Sequence, residues 1–412
     1  MTGATTGGTV DRRVLVLGMY LPVLVFETGI GAILPVVALS ATALGASIAQ
    51  AGVVVSLLAV GQLLGDAPAG ALAARVGDRR AMLLAAGAAV VALLAAALAR
   101  HVLVLAGALL VLGAANAVVG LARHSYLTAT TPVALRARVL STLGGLHRIG
   151  LFVGPFVGAL LVHLAGLGAA YWFAVATAGI TALVVAAVPD GRPHVRATGG
   201  PSTAAVLREH RRLFATLGVA VLLVGAARGG RGTVLPLWSE HLGLAPATTA
   251  LIFGLAGAVD MLLFYPAGRL MDTRGRLWAA LPSMAVLGMG FALLPLTTTV
   301  GGVAAVAMLI GLGNGMGSGI LMTLGADVAP APVRAQFLGL WRLCQDLGGA
   351  GGPLLVAAGA ALGSLAGGIL ALAGISAGAV AALARWTPRY SVHANRTTRR
   401  RARAAGLLDG PG

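Results

Sequence analysis

A few ionisable side chains interrupt long apolar stretches of this 412-residue chain, and they are the residues best placed to do chemistry. Glu27 lies near the middle of the first stretch, and acidic residues in later stretches are Asp66, Asp260 and Asp346. Burial favours the neutral form of a carboxyl group, which lets the group take up and release a proton. We predict these four residues as proton-coupling groups, with Glu27 first and Asp260 in reserve.

Arginine and asparagine side chains in the same stretches could hold a polar ligand. Arg228 and Arg231 are three residues apart, so they point the same way from a helix, and no acid in that helix offsets them at the same depth. The predicted substrate-cavity residues are Arg228, Arg231, Arg148, Arg123, Asn116 and Asn314. Arg342 and Asp346 are four residues apart, which predicts an ion pair within one helix.

The sequence lacks the residues that several other kinds of chemistry require. All 29 basic residues are arginine, whereas a Walker-type phosphate loop requires a lysine. The 8 histidines are scattered singly, without metal-ligand spacing, and Cys344 is the only cysteine. The sequence therefore predicts no catalytic residue, no metal ion and no cofactor, and we do not expect an enzyme.

The elements that must position these residues are membrane-spanning helices. With 58% hydrophobic residues, 10% charged residues and a mean hydropathy of +0.93, the chain has too few polar side chains to coat a water-soluble body. A spanning helix needs about 20 apolar residues, whereas an outer-membrane strand has about 10 residues of alternating polarity. The apolar runs predict twelve helices, at residues 13–38, 47–74, 81–99, 102–130, 139–165, 168–188, 213–239, 246–272, 278–297, 300–328, 334–360 and 363–385.

The arginines cluster at alternate connections between these helices, and the opposite connections carry Arg100 alone. By the positive-inside rule, both termini and the linker at 189–212 face the cytoplasm of a multi-pass protein in the cell membrane. The net charge of +17 thus indicates topology and contact with membrane lipids rather than nucleic acid, although a partner for the basic tail stays open. We expect the tail, residues 389–412, to be disordered and the protein to be a monomer.

The chain repeats itself at a shift of 198 positions. Before Leu44 the shift becomes 201, which indicates a three-residue insertion in the first segment of one copy. Two copies of this size predict two homologous six-helix bundles, at residues 1–188 and 213–388. The pairs that match at a shift of 198 include Pro68 with Pro266, Gly70 with Gly268, Gly77 with Gly275, Asn116 with Asn314, Gly150 with Gly348 and Gly154 with Gly352.

The repeated stretch carries a signature. Gly268-x-Leu-x-Asp272-x-x-Gly275-Arg276 resembles the loop signature of the major facilitator superfamily, and Gly70 and Gly77 match it in the earlier copy. The candidate gating residues of the first loop are Gly70, Arg75, Gly77 and Arg79. The resemblance covers residues 10–388 and implies an all-α fold of twelve helices in two pseudo-symmetric bundles. It also implies that these loops help to close the cytoplasmic side during alternating access. Ala74 stands where the family has Asp, so the latch is expected to be asymmetric.

A second stretch, Gly150-x-x-x-Gly154-Pro155-x-x-Gly158, resembles the fifth-helix pattern of proton-coupled drug antiporters in the same superfamily. In any membrane bundle, however, glycines four residues apart let a neighbouring backbone approach, and Pro155 permits a bend. The arginine that the drug-exporter pattern has early in helix four is missing near Leu109.

These observations together imply a secondary transporter whose partners are a small-molecule substrate and protons. The resemblance favours proton-coupled export of small organic or drug-like compounds. One alternative is an importer of a small organic anion held by Arg228 and Arg231. Another is a membrane receptor or scaffold that has kept the fold without transport, because fold alone does not determine function.

Overall fold

The computed structural model describes residues 16–131, 133–187 and 203–404, and every regular element within these ranges is helical. Pro132, most of the predicted linker (188–202) and residues 405–412 lie outside the described residues. In chain order, the α-helices of the described ranges are α1 (Leu21–Ile33), α2 (Val37–Ala43), α3 (Ile48–Val76), α4 (Asp78–Ala97), α5 (Val102–Thr130), α6 (Val133–Ala165), α7 (Leu167–Ala187), α8 (Thr203–Glu209), α9 (Arg211–Leu213), α10 (Val219–His241), α11 (Pro246–Arg274), α12 (Leu277–Leu293), α13 (Val300–Met316), α14 (Ile320–Val328), α15 (Arg334–Ala361), α16 (Leu365–Tyr390) and α17 (Arg396–Ala404).

Ten helices among the described residues are long and apolar enough to cross a membrane. The segments Gly18–Ile33 and Val37–Ala43 add an eleventh span if they are taken together, with a bend of 43° between them. The 28-residue helix α15 occupies the place of the remaining predicted span, and its Arg334, Arg342 and Asp346 make it less apolar than the others. The prediction of an all-α membrane protein is confirmed, and the helices follow the order of the twelve predicted spans.

The contacts divide the chain into two compact units. Unit 1 comprises Met1–Val36 and Val60–Arg196, and unit 2 comprises Val37–Ala59 and Ala197–Gly412. The predicted first bundle, residues 1–188, differs from unit 1 because Val37–Ala59 packs with the later helices of unit 2. In unit 2 the Thr42 hydroxyl donates a hydrogen bond of 2.8 Å to Glu240, and a Cβ atom at Gly52 would lie 3.0 Å from the Cβ of Ala357.

In unit 1, α6 packs on α1 along a row of glycines. A Cβ atom at Gly154 would lie 2.6 Å from the Cα of Gly31, and one at Gly158 would lie 2.6 Å from the carbonyl oxygen of Ala32. These distances are shorter than van der Waals contact, so only glycine lets the two backbones approach this closely. The row therefore fixes where the residues of α1 face α6.

The second copy repeats this packing in unit 2, where α15 lies against α10 through Gly348 and Gly352. Gly150 meets the carbonyl of Leu24 and Gly348 meets that of Leu222, so this pair of contacts is related by the shift of 198. The contacts of Gly154 with Thr28 and of Gly352 with Ala226 obey the same shift. The shift is therefore 198 at Leu24 and Thr28 as well as after Leu44, which corrects the prediction that it is 201 throughout the segment before Leu44. The first copy is interrupted between Ile33 and Val37, whereas α10 is continuous.

Two glycines at equivalent positions end the helices before the signature loops. Gly77 follows α3 with a φ of 85°, and Gly275 follows α11 with a φ of 108°. A positive φ after a helix is favourable for glycine because no Cβ atom opposes it. The repeated glycines of the sequence therefore mark two matching turns.

The described part of the tail, for which we predicted disorder, forms a turn and a helix. Residues 391–395 form the turn after α16, and α17 runs from Arg396 to Ala404. The backbone N–H of Thr398 donates to the Asn395 side chain at 2.9 Å, and the N–H of Asn395 donates to the Thr398 hydroxyl at 3.0 Å. This reciprocal capping satisfies N–H groups that the start of α17 would otherwise leave unpaired.

Candidate functional site

Glu27 of α1 and His147 of α6 form a pair inside unit 1. Glu27 Oε1 lies 2.8 Å from His147 Nδ1, and 10% of the Glu27 side chain is exposed against 45% of the His147 side chain. The glycine row brings the two together, because a Cβ atom at Gly150 would lie 2.6 Å from the Cβ of Glu27. The Glu27 carboxylate is therefore buried between the helices, while its imidazole partner is about half exposed.

Arg123 of α5 lies within electrostatic range of Glu27. Its Nε atom is buried without a hydrogen-bond partner among the described residues, and the side chain lines a small apolar cavity with Met19 and Phe26. Arg123 therefore belongs with the Glu27–His147 pair, although the sequence suggested it as a substrate ligand.

The remaining candidates of unit 1 are less closely connected to this pair. Asn116 lies on α5, and its Oδ1 atom is buried without a hydrogen-bond partner in the described part of the chain. Arg148 follows His147 on α6 and Asp66 lies on α3, both half-buried and both engaged in interactions.

In unit 2, four candidates from three helices form one network. Asn314 of α13 donates a hydrogen bond of 2.6 Å to Asp260 of α11, and Arg228 of α10 donates one of 3.1 Å to the backbone carbonyl of Asn314. Arg231, one turn further along α10, lies 3.7 Å from the same Asp260 oxygen. The network unites a predicted proton-coupling residue with three predicted cavity residues.

The network is incompletely satisfied. The other oxygen of Asp260, Oδ1, is buried without a hydrogen-bond partner in the described ranges. Arg231 reaches Asp260 only at ion-pair distance, which is too long for a hydrogen bond. The exposed fractions of the Arg231 and Asp260 side chains are 22% and 17%, so both can meet a ligand.

Arg342 and Asp346 pair within α15 at 3.3 Å, as their spacing predicts. The Arg342 side chain is 53% exposed, so the pair contributes little stability. This contact gives Asp346 a structural partner, and the described contacts do not join it to the network around Asp260.

The signature loop of unit 2 is a charged cluster centred on Arg276. The guanidinium donates to Asp327 at 2.9 and 3.2 Å and to Asp272 at 3.1 Å. Burial lowers the pKa of Arg276, but hydrogen bonds and charge attraction to Asp327 and then Asp272 outweigh burial and raise the pKa above its ordinary value. Asp272 is 76% exposed, whereas Asp327 is 11% exposed, so Asp327 is the stronger partner. Gly268 has open space around its Cα within the described residues.

The signature loop of unit 1 is held differently. Arg79 donates to the backbone carbonyl of Ala186 at 2.6 Å, and Asp78 accepts a hydrogen bond of 2.8 Å from the Ser125 hydroxyl. Gly70 is half-buried in α3 and Arg75 is exposed in its last turn. Asp78 thus links the start of α4 to α5.

Three participants were missed in the sequence. His147 is three residues before Gly150, on the face of α6 that meets α1, and that spacing was the available signal. Asp327 and Ser391 join Arg276 through the Ser391–Asp327 hydrogen bond of 3.2 Å. No spacing in the sequence links Arg276, Asp327 and Ser391, because they come from separate parts of the chain.

The comparisons with known proteins fit this architecture. A family model described as Major Facilitator Superfamily matches residues 19–353, and the chain belongs to that family. It is therefore a transporter of small molecules and not an enzyme. A comparison with curated protein sequences gave no match.

Similar solved structures have the same fold at low sequence identity. The nucleoside transporter NupG is 15% identical with a TM-score of 0.70, covering 90% of this chain and 98% of its own. A D-xylose–proton symporter is 14% identical with a TM-score of 0.71, covering 93% and 99%. A POT family transporter in complex with a thioalcohol-conjugated peptide is 12% identical with a TM-score of 0.73, covering 92% and 96%. The likeness shows the fold, and the drug-exporter resemblance of the sequence is not confirmed.

Proposed function

We propose that the protein is a proton-coupled secondary transporter that exports small organic compounds across the cell membrane by alternating access. The observation that carries the proposal is the Glu27–His147 pair. A carboxylate buried between two membrane-spanning helices is unfavourable in free energy, and such groups are found mainly where they have a function. Its contact with a half-exposed histidine gives it a route to water, because imidazole exchanges protons near neutral pH.

A substrate site around Asp260 and Arg231 supports the same proposal. The two side chains are partly exposed, they face each other at 3.7 Å, and they leave hydrogen-bonding capacity unused. A polar substrate group that pairs with Arg231 would release Asp260, whose protonation then becomes more favourable. Asp260 is thereby a second proton-coupling residue, and Arg228 and Asn314 orient it.

The direction of transport rests on the resemblance of Gly150–Gly158 to the antiporter pattern. Packing of α6 on α1 accounts for the same glycines without any reference to direction. The D-xylose–proton symporter has the fold with the opposite kind of coupling, so fold does not discriminate. Export is therefore the part of the proposal that most needs a direct test.

Import of an organic anion is the second candidate, and one observation favours it. Arg231 makes no hydrogen bond with a described residue and so retains donors for a carboxylate or phosphate. In this case the substrate would neutralise Arg231 directly, and proton movement would follow the anion inward. Both termini are placed in the cytoplasm in either case, as the arginine distribution indicates.

The experiment is transport by the purified chain in proteoliposomes that enclose a pH-sensitive dye. A panel of neutral, cationic and anionic organic compounds is added on one side. Export by antiport predicts that substrate and protons move in opposite directions, and anion import by symport predicts the same direction. Glu27→Gln should keep counterflow of bound substrate but lose proton movement. Absence of any counterflow would favour the receptor or scaffold.

A further inference from the structure

Arginine side chains lie over the exposed Trp278 ring and the half-buried Trp386 ring, where helices of unit 2 begin or end. The Arg274 guanidinium is 5.6 Å from the centre of the Trp278 ring, across the turn between α11 and α12. The guanidinium groups of Arg389 and Arg385 lie 4.6 and 5.3 Å from the Trp386 ring, in the last turns of α16. Tryptophan concentrates at the headgroup level of a membrane, and neighbouring arginines extend towards the phosphates.

Residues 391–395, here called the strap, are fixed at this same end of unit 2. The backbone N–H groups of Arg276 and Leu277 donate to the carbonyls of His393 and Ala394, each at 3.0 Å. Ala394 is completely buried, and its carbonyl would lie 2.7 Å from a Cβ atom at Gly275. The strap therefore caps the start of α12. The same contacts fix the position at which α17 begins.

Helix α17, which follows the strap, is unusually basic. Five of the nine residues of α17 are arginine and none is acidic. Arg396, Arg400 and Arg401 are exposed and form no ion pair with a described residue. A helix of nine residues is marginal alone, and like charges within it repel, so an external countercharge would stabilise it.

We propose that α17 and the arginines beside Trp278 and Trp386 form one binding surface for the headgroups of anionic phospholipids. Guanidinium groups bind phosphate oxygens in pairs, and a polybasic segment next to a span is attracted to an anionic leaflet. A membrane partner is favoured over a soluble one because α17 begins six residues after α16 ends, at the level of the aromatic rings. The surface does not depend on what the protein transports.

The test uses the full chain with Cys344→Ser and Ala404→Cys, labelled at position 404 with a polarity-sensitive fluorophore. The protein is reconstituted into vesicles of phosphatidylcholine alone or of phosphatidylcholine with phosphatidylglycerol. Emission should shift to shorter wavelength only with phosphatidylglycerol, and high salt should abolish the shift because it screens the charges. The triple variant Arg396→Gln, Arg400→Gln, Arg401→Gln should lose the shift.

A matched control neutralises three exposed arginines of the same unit, with Arg208→Gln, Arg211→Gln and Arg212→Gln. This control should keep the full shift at position 404. Equal emission in both kinds of vesicle would overturn the proposal. A shift that survives the triple variant would overturn it as well, since the attraction would then come from another part of the chain.

Discussion

Glu27 and His147 meet at 2.8 Å through the contact of α1 with α6, although 120 residues separate them in sequence. The pair puts the most buried acid among the described residues of unit 1 next to an imidazole, a side chain that can both accept and donate a proton. The histidine side chain is 45% exposed and is therefore the more accessible member of the pair.

His147→Gln should therefore alter how transport depends on pH. Glutamine can still hydrogen-bond to Glu27 but cannot take up a proton, so substrate counterflow should persist while proton-driven accumulation weakens. The measurement is uphill transport and counterflow across pH 5 to 8, the range where histidine titrates. His163, near the end of α6, offers the matched control His163→Gln. An unchanged pH profile in His147→Gln would remove the histidine from the proton route.

Gly154→Ala should destabilise the protein by about 1–3 kcal/mol, because the new methyl group would overlap the backbone of α1 at Gly31. Gly145→Ala is the control on the same helix, since a Cβ atom there meets nothing within 4 Å. It should be neutral or slightly stabilising, by up to about 1 kcal/mol, as expected for alanine over glycine in a helix. Thermal unfolding in one detergent compares the two. Equal melting temperatures would show that α6 is not held by this contact.

Asp327→Asn should cost about 1.5–3 kcal/mol, because it removes the main countercharge of the buried Arg276 and weakens the Ser391 contact. Asp272→Asn should cost less than about 1 kcal/mol, since that carboxylate is largely exposed. Melting curves of the two variants make the comparison. A larger loss in Asp272→Asn would reverse the assignment of the stronger partner.

Asp272→Asn should act instead on alternating access, if the signature loop closes the cytoplasmic side. Loss of this carboxylate is expected to change the labelling of cysteines introduced along the cytoplasmic half of the cavity, with little change in substrate affinity. Asp327→Asn serves as the comparison that perturbs the same cluster from its buried side. Identical labelling of the wild-type protein and Asp272→Asn would argue against a gating role.

Arg231→Gln separates a substrate-binding role from a structural one. A charged hydrogen bond to substrate is worth about 1.5–3 kcal/mol, so binding through Arg231 predicts a loss of affinity of roughly tenfold or more, with a shifted pH dependence. A structural role predicts lower expression with affinity and pH profile intact in the surviving protein. Arg342→Gln, which changes an exposed arginine paired within its own helix, is the control.

The sequence predicted best what depends on neighbours along one helix. The lengths of the apolar runs predicted the spans, and the repeated glycines marked the matching turns. The four-residue spacing of Arg342 and Asp346 predicted their ion pair. Contacts between helices were harder, because they depend on the rotation of each helix about its axis. Arg231 and Asp260 were singled out as charges in apolar runs, and the fold brings them together. His147 could not be singled out as a charged residue in an apolar run, because histidine is common in many surroundings.

The attachment of Val37–Ala59 to unit 2 has a consequence for biosynthesis. Glu240, which Thr42 contacts, is translated 198 residues after Thr42, and Ala357, which lies against Gly52, is translated later still. A nascent chain that has been translated only as far as the central linker therefore holds inserted helices whose neighbours have not been made. The amino-terminal half, expressed as a separate fragment, should be degraded faster than the same half supplied together with its complement.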